Sequence, residues 1–213
     1  MTRQVLVVID LQNDITKNYR EIIDSVNRAV DWAAGRGMHV VYIRHHNLSE
    51  GTRTFKPGTR GAEPVPELRL ASDNVFIKTK SSALTSEEFA AFLRRHGVTE
   101  CFLTGADATA CVKSTAYNLA RAGYAVRVLS DCVTSYDKAK IPEMLRYYES
   151  RGCAVRTLSE AMREMDGAPM ELRLSTTRLS RARRGGSSPP KTATAHRCST
   201  AMRTTTTPLT ATI

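Results

Sequence analysis

Residues 104–115 read TGADATACVKST, and the fold turns on how they are read. The apolar run ECFLTG, 100–105, leads in. TACVKSTAYNLARAG, 109–123, leads out with helical spacing and a glycine near its end. A strand that passes through a small-residue loop directly into a helix is half of a β-α-β unit. Cys111 then lies in the first turn of that helix, where unpaired N–H groups and the helix dipole favour negative charge. Such a cysteine is a nucleophile, a redox thiol or a small packed side chain, and the rest of the chain has to choose.

The same alternation extends in both directions. QVLVVID (4–10) is a continuous β-branched run, as a strand buried on both faces requires. YREIIDSVNRAVDWAAGRG (19–37) places Ile22, Ile23, Val26, Val30 and Ala33 on one helical face. HVVYIRH (39–45) and NVFIK (74–78) are the next strands. LTSEEFAAFLRRHG (84–97) is a helix with a capping signal, Thr85 before Glu88. YAVRVLSD (124–131), the helix IPEMLRYYESRG (141–152), CAVRTLS (153–159) and a short helix EAMREM (160–165) complete the series. Strands alternating with helices imply parallel pairing through right-handed crossovers. The expected fold is a doubly wound, three-layer α/β/α domain over residues 1–166, with a mainly parallel six-stranded sheet. Residues 47–72 lack clear periodicity, and a connection of that length suits a lid.

Composition narrows the function. The chain of 213 residues has no apolar run long enough to span a membrane, and MTRQVLVVID lacks a secretory cleavage site, so a cytoplasmic protein is expected. Five cysteines without a CxxC pair argue against a disulfide framework or a thiolate zinc site. The net charge of +10 is concentrated: residues 167–213 hold eight basic residues and one acidic, leaving the body at +3. No nucleic-acid partner is expected for the body. Residues 167–213 are rich in Ser, Thr, Arg and Pro and too poor in large apolar residues to form a core, so they are expected to be disordered. A basic interaction arm and a translated non-native extension are the two readings, the second preferred. His196 and Cys198 lie there and receive no role.

Three reactive side chains fall at equivalent places: Asp10 ends the first strand, Lys78 the third, and Cys111 follows the fourth. In a doubly wound sheet these carboxyl ends face one crevice, where ligands bind. Each residue alone has a plain structural reading: a turn cap, a solvated lysine, a packed thiol. Together they make a nucleophile. The helix N-terminus and a neighbouring ammonium favour the thiolate. Asp10 can accept the thiol proton and return it to a leaving group, and backbone N–H groups can bind an oxyanion. Gly105 is expected to let the backbone approach a ligand. Phosphotransfer through Asp10 would want a second carboxylate two residues on, where Gln12 stands. A redox role would need a resolving thiol, for which Cys132 is the candidate.

VLVVIDLQND, IKTKSSA and TGADATACVKSTAYNLARAGYAVRVLSDCVTS together resemble the isochorismatase-like cysteine hydrolases, which include nicotinamidases and N-carbamoylsarcosine amidases, over about residues 3–160. The resemblance implies an Asp–Lys–Cys triad at Asp10, Lys78 and Cys111, its spacing before Ser82 selecting Lys78 over Lys80. It also implies a cis peptide at Ala106–Asp107 and an oxyanion site at Ala106, Asp107 and Cys111, built on the N–H groups of Asp107 and Cys111. It implies a small-molecule substrate, a dimer or tetramer, and hydrolysis of a small amide or ureido C–N bond through a thioester. A non-catalytic binding protein and a vinyl-ether hydrolase are the alternatives. Two departures stand out: Ile15 follows Asp14 where an aromatic residue is common, and Ala108 stands where threonine is common.

Nicotinamidases of that family hold a divalent metal through an Asp-x-His pair and a second histidine. Here IRHHNLSEG has adjacent His45 and His46 with no aspartate two residues before either, so no metal and no other cofactor is expected. The candidate substrate contacts are Gln12, His45, His46, Arg60 and Tyr136. Arg53 and Lys56 share the lid loop with Arg60, and Asp131 either borders the pocket or caps a turn.

Overall fold

The computed structural model describes residues 3–167, and the reading of the Ser/Thr/Arg-rich segment, with His196 and Cys198, falls outside them. Six strands form one parallel sheet: β1 Gln4–Ile9, β2 His39–His45, β3 Val75–Lys78, β4 Glu100–Ala106, β5 Ala125–Thr134 and β6 Ala154–Arg156. Their order is β3-β2-β1-β4-β5-β6, so the winding reverses between β1 and β4. This reversal opens a crevice at the carboxyl ends of the strands.

The helices are α1 Asn13–Thr16, α2 Ile23–Gly35, α3 Glu87–Arg95, α4 Cys111–Arg121, α5 Ile141–Ser150 and α6 Leu158–Asp166. β1 is apolar throughout because both its faces are covered. Val5, Val7 and Ile9 pack with residues of α3, α4 and α5 in one core cluster. Leu6 and Val8 pack with α2 and α6 in the other. Cys132 belongs to the second cluster while Cys111 packs against the first. The sheet therefore separates them, and the proposed resolving-thiol pairing fails.

Three local expectations are corrected. The cap of α3 is Ser86, whose hydroxyl accepts from the Phe89 N–H, while Thr85 donates its hydroxyl to the Ser82 carbonyl. β5 runs past Asp131 to Thr134, helped by an irregularity in its register with β4 between Leu103 and Gly105. Gly105 serves strand packing rather than a ligand: its φ is +106°, and a Cβ there would sit 2.1 Å from the Ile9 carbonyl oxygen of β1. Only glycine fits so close an approach at that backbone angle.

Candidate active site

Strand alternation places Lys78 on the face of Phe76, which belongs to the α3–α5 core cluster. By the same alternation Asp10 would share the opposite face with Leu6 and Val8. Its φ of +53°, a conformation aspartate tolerates better than most residues, breaks the alternation. As a result Lys78 Nζ lies 2.8 Å from Asp10 Oδ2, with both side chains essentially buried. The ammonium also donates to Cys111 Sγ at 3.3 Å. The segment after β3 fixes this approach: the Ser82 hydroxyl accepts from the Leu84 N–H, and the Ala83 N–H donates to Thr115 Oγ1 at 2.9 Å, one turn along α4 from Cys111. Lys80 is exposed.

The electrostatics correct the expectation of a ready thiolate. Burial pushes the Cys111 thiol up to about 12; Asp10 pushes the same way, and Lys78 opposes them without prevailing. Burial also raises the Asp10 carboxyl, against the downward pull of Lys78 and of the nearby thiol. Asp10 Oδ1 is buried with no partner in ordinary hydrogen-bond geometry. The site thus sets a weakly acidic thiol beside the Asp10–Lys78 pair, with one Asp10 oxygen free of any conventional hydrogen bond.

On the other side of Cys111 the Ala106–Asp107 peptide is cis. The Asp107 carbonyl accepts from the N–H groups of Ala110 and Val112, while those of Asp107 and Cys111 donate to no protein acceptor among the described residues. Ala108 is held at both ends, its N–H by the Thr134 carbonyl at 2.8 Å and its carbonyl by the Tyr148 hydroxyl at 2.5 Å.

The Asp107 carboxylate has a role the sequence reading missed. Oδ1 accepts from the Thr109 N–H and hydroxyl, both at 2.7 Å, and from the Ser135 hydroxyl at 2.8 Å. Oδ2 accepts from the Tyr19 hydroxyl at 3.0 Å and the Tyr136 N–H at 2.8 Å. Burial alone would raise its pKa, but these hydrogen bonds hold it below the usual carboxylate range. Tyr19 is buried between this carboxylate and the Lys138 ammonium, which lies 5.3 Å from its ring centroid. The sequence signal was present in Asp107-x-Thr109, an aspartate whose side chain can close a turn on the backbone two residues on.

The candidate substrate contacts separate. His45 Nδ1 lies 3.1 Å from Lys78 Nζ, so this ring belongs to the constellation. His46 is half-buried with Nε2 unpartnered, and its backbone N–H donates to the Lys78 carbonyl. Gln12 is buried and committed: its amide donates to the carbonyls of His45 and Ala62, and its oxygen accepts from the His45 N–H. It clamps the ends of β1 and β2 to the following loop and has no group left for a ligand. Arg60, Arg53 and Lys56 are exposed, and the Arg60 backbone carbonyl holds Asn13. From the same loop Phe55 reaches inward, its ring edge-on to His45 at 5.3 Å. Tyr136 is 72% exposed and borders, with Asp107, Thr109 and Lys113, a cavity of about 430 Å³ whose lining does not include Cys111. Asp131 is exposed and accepts from the Leu158 N–H, the first of α6, so it supports the start of a helix that Thr157 caps.

A divalent metal does not fit these residues. His45 Nδ1, Asp10 and Cys111 converge on an ammonium, and among the described residues no group of three or more His, Cys, Asp or Glu side chains is placed to hold a metal ion. No helix among them is long and apolar enough to cross a membrane.

Comparison with known proteins agrees with this architecture. The chain is 28% identical over 156 residues to a protein of Arabidopsis thaliana named "Probable inactive nicotinamidase", covering 61% of this chain and 80% of that one. Its structure is similar to an isochorismatase family protein from Desulfovibrio vulgaris, with a TM-score of 0.73, 22% identity, and coverage of 78% of this chain and all of the other. It is also similar to the N-carbamoylsarcosine amidase of Thermoplasma acidophilum, with a TM-score of 0.65, 22% identity, and coverage of 73% and 96%. The Isochorismatase domain model matches residues 4–160, most of the chain, and the protein belongs to the isochorismatase family of hydrolases.

Proposed function

We propose that this protein is a cysteine-dependent amidohydrolase that cleaves the C–N bond of a small amide or ureido compound. The observation that supports this most strongly is the single ammonium of Lys78 bridging Asp10 and Cys111 at 2.8 and 3.3 Å in a buried crevice. Asp10 takes the Cys111 proton as Sγ attacks the substrate carbonyl carbon. The thiol is too weak an acid to ionise beforehand, so proton transfer accompanies attack. The oxyanion is received by the unpartnered N–H groups of Asp107 and Cys111. Collapse expels the amine or ammonia, which takes the proton from Asp10. Water, deprotonated by Asp10, then splits the thioester, releasing the acid and restoring the thiol.

Support for the amide class comes from the N-carbamoylsarcosine amidase likeness and, for the scaffold alone, from the relative named as a probable inactive nicotinamidase. The four cysteines among the described residues are free, which suits a cytoplasmic setting. A homo-oligomer is part of the reading and is measured by light scattering. The test of function is a screen of small amides and ureides for ammonia or amine release. We expect turnover by the full chain and a fall of at least about a hundredfold in Cys111→Ala, as for loss of a covalent nucleophile. Undiminished hydrolysis by Cys111→Ala would refute the mechanism.

A second reading, a non-catalytic binding protein with the same fold, is favoured by the word "inactive" in the Arabidopsis relative's name and by the weakly acidic thiol. It predicts ligand binding without turnover and no difference between the wild type and Cys111→Ala.

A further inference from the structure

We propose that His45 is a positioning residue: its Nδ1 takes the third N–H of the Lys78 ammonium and so holds that ammonium between Asp10 and Cys111. An ammonium has three donors and no acceptor. Lys78 Nζ has three acceptors within reach: Asp10 Oδ2 at 2.8 Å, His45 Nδ1 at 3.1 Å and Cys111 Sγ at 3.3 Å. A fully buried ammonium needs all of them, because each unpaired N–H in that environment is costly. The imidazole is itself fixed. Gln12 bonds both the N–H and the carbonyl of His45, at 2.7 and 3.0 Å, and the Phe55 ring closes on it edge-on.

The contact also sets the tautomer. Nδ1 can accept from Lys78 only if the ring is neutral with its proton on Nε2. The surroundings favour that state. Burial and then Lys78 hold the His45 pKa below its ordinary value, His46 acts in the same direction, and Asp10 and a hydrogen bond with the Lys80 backbone oppose them. Without an acceptor at this position, Lys78 closes on Asp10 and withdraws from the sulfur it supports. The inference rests on the proposed Cys111 chemistry, but it makes a claim about geometry that can be read without a substrate.

Two measurements on the full chain test it. Imidazole nitrogen spectra should show His45 as the Nε2–H tautomer, and Lys78→Met should raise its titration midpoint by removing the neighbouring cation. Iodoacetamide labelling of Cys111, followed by peptide mapping, should slow roughly tenfold in His45→Leu, the size expected when a hydrogen bond to a charged group is lost. His45→Asn, whose amide oxygen falls near the place of Nδ1, should recover labelling to within roughly threefold of the wild type. A proton on Nδ1 in the wild-type spectrum would overturn the proposal, as would wild-type labelling in a folded His45→Leu. If the leucine variant does not fold, the wild-type tautomer and its response to Lys78→Met decide alone. Hydrolysis surviving in Cys111→Ala would sink the catalytic reading while leaving both readouts intact, so the two failures are distinguishable.

Discussion

Asp10 and Asp107 follow the ends of adjacent strands and flank the same cysteine, yet their carboxylates live in opposite circumstances. Asp10 is almost fully buried, makes one ion pair, leaves one oxygen unpartnered and is pushed up in pKa chiefly by burial. Asp107 is half-buried, accepts five hydrogen bonds and is held low by them. A carboxylate with a vacant oxygen and a raised pKa can pick up a proton and give it back. One saturated by donors gains little by protonation and loses the loop it ties. The pair shows how one residue type is divided between chemistry and scaffold by what surrounds it.

The strongest way to break this comparison is Asp10→Asn. The amide keeps an oxygen for Lys78 but cannot accept a proton, so hydrolysis should fall by roughly 10²–10⁴-fold, the usual worth of a general base. Asp107→Asn should spare much more of the rate, provided the protein is assayed where it remains folded. Equal activity losses in the two variants would erase the distinction drawn between them.

Stability should reverse the ranking. Asp107→Asn replaces an acceptor oxygen by an NH₂ group facing donors, a loss of about 2 kcal/mol for groups left unsatisfied. The pH dependence carries the sign. The folded pKa of Asp107 lies below its ordinary 3.8, so its contribution is fully present above 3.8 and is lost as pH falls through the lower folded value. The gap in melting temperature between wild type and Asp107→Asn should therefore be widest near neutrality and close on acidification. Asp10, with its pKa raised, behaves oppositely: the stability its protonated form supplies is fully present below 3.8 and is lost as pH rises through the higher folded value. A gap for Asp107→Asn that stays constant into acid would show that its five bonds do not depend on charge.

Much of this was legible from sequence, for reasons that also explain what was not. Continuous β-branched runs alternating with helical stretches leave little freedom beyond a parallel, doubly wound sheet, and strand ends at a winding reversal meet whatever their separation in the chain. That is why Asp10, Lys78 and Cys111 fall together. Gln12 misled because a polar residue beside a reactive one reads as a ligand contact, whereas a buried strand end needs a side chain to satisfy its own backbone. The thiol misled because helix dipole and lysine are visible in sequence and depth of burial is not. Tyr19 escaped because an aromatic wall was sought next to Asp14. The short helix α1 instead delivers one five residues later, onto a carboxylate read only for its backbone.

That pairing supplies the smallest of the expected effects. Tyr19→Phe keeps the buried ring and removes only the hydroxyl bonded to Asp107 Oδ2 at 3.0 Å. Asp107 retains four donors, and the Lys138 ammonium retains its bonds to Glu21, to Thr134 and to the Asn18 carbonyl. The loop should therefore stay in place at a cost of about 1 kcal/mol, read as a small drop in melting temperature. Combining Tyr19→Phe with Asp107→Asn should cost less than the sum of the two, because both remove the same bond. Strict additivity in that double-mutant cycle would mean that the hydroxyl and the carboxylate act independently, and Asp107 would then hold Cys111's loop through Thr109, Ser135 and Tyr136 alone.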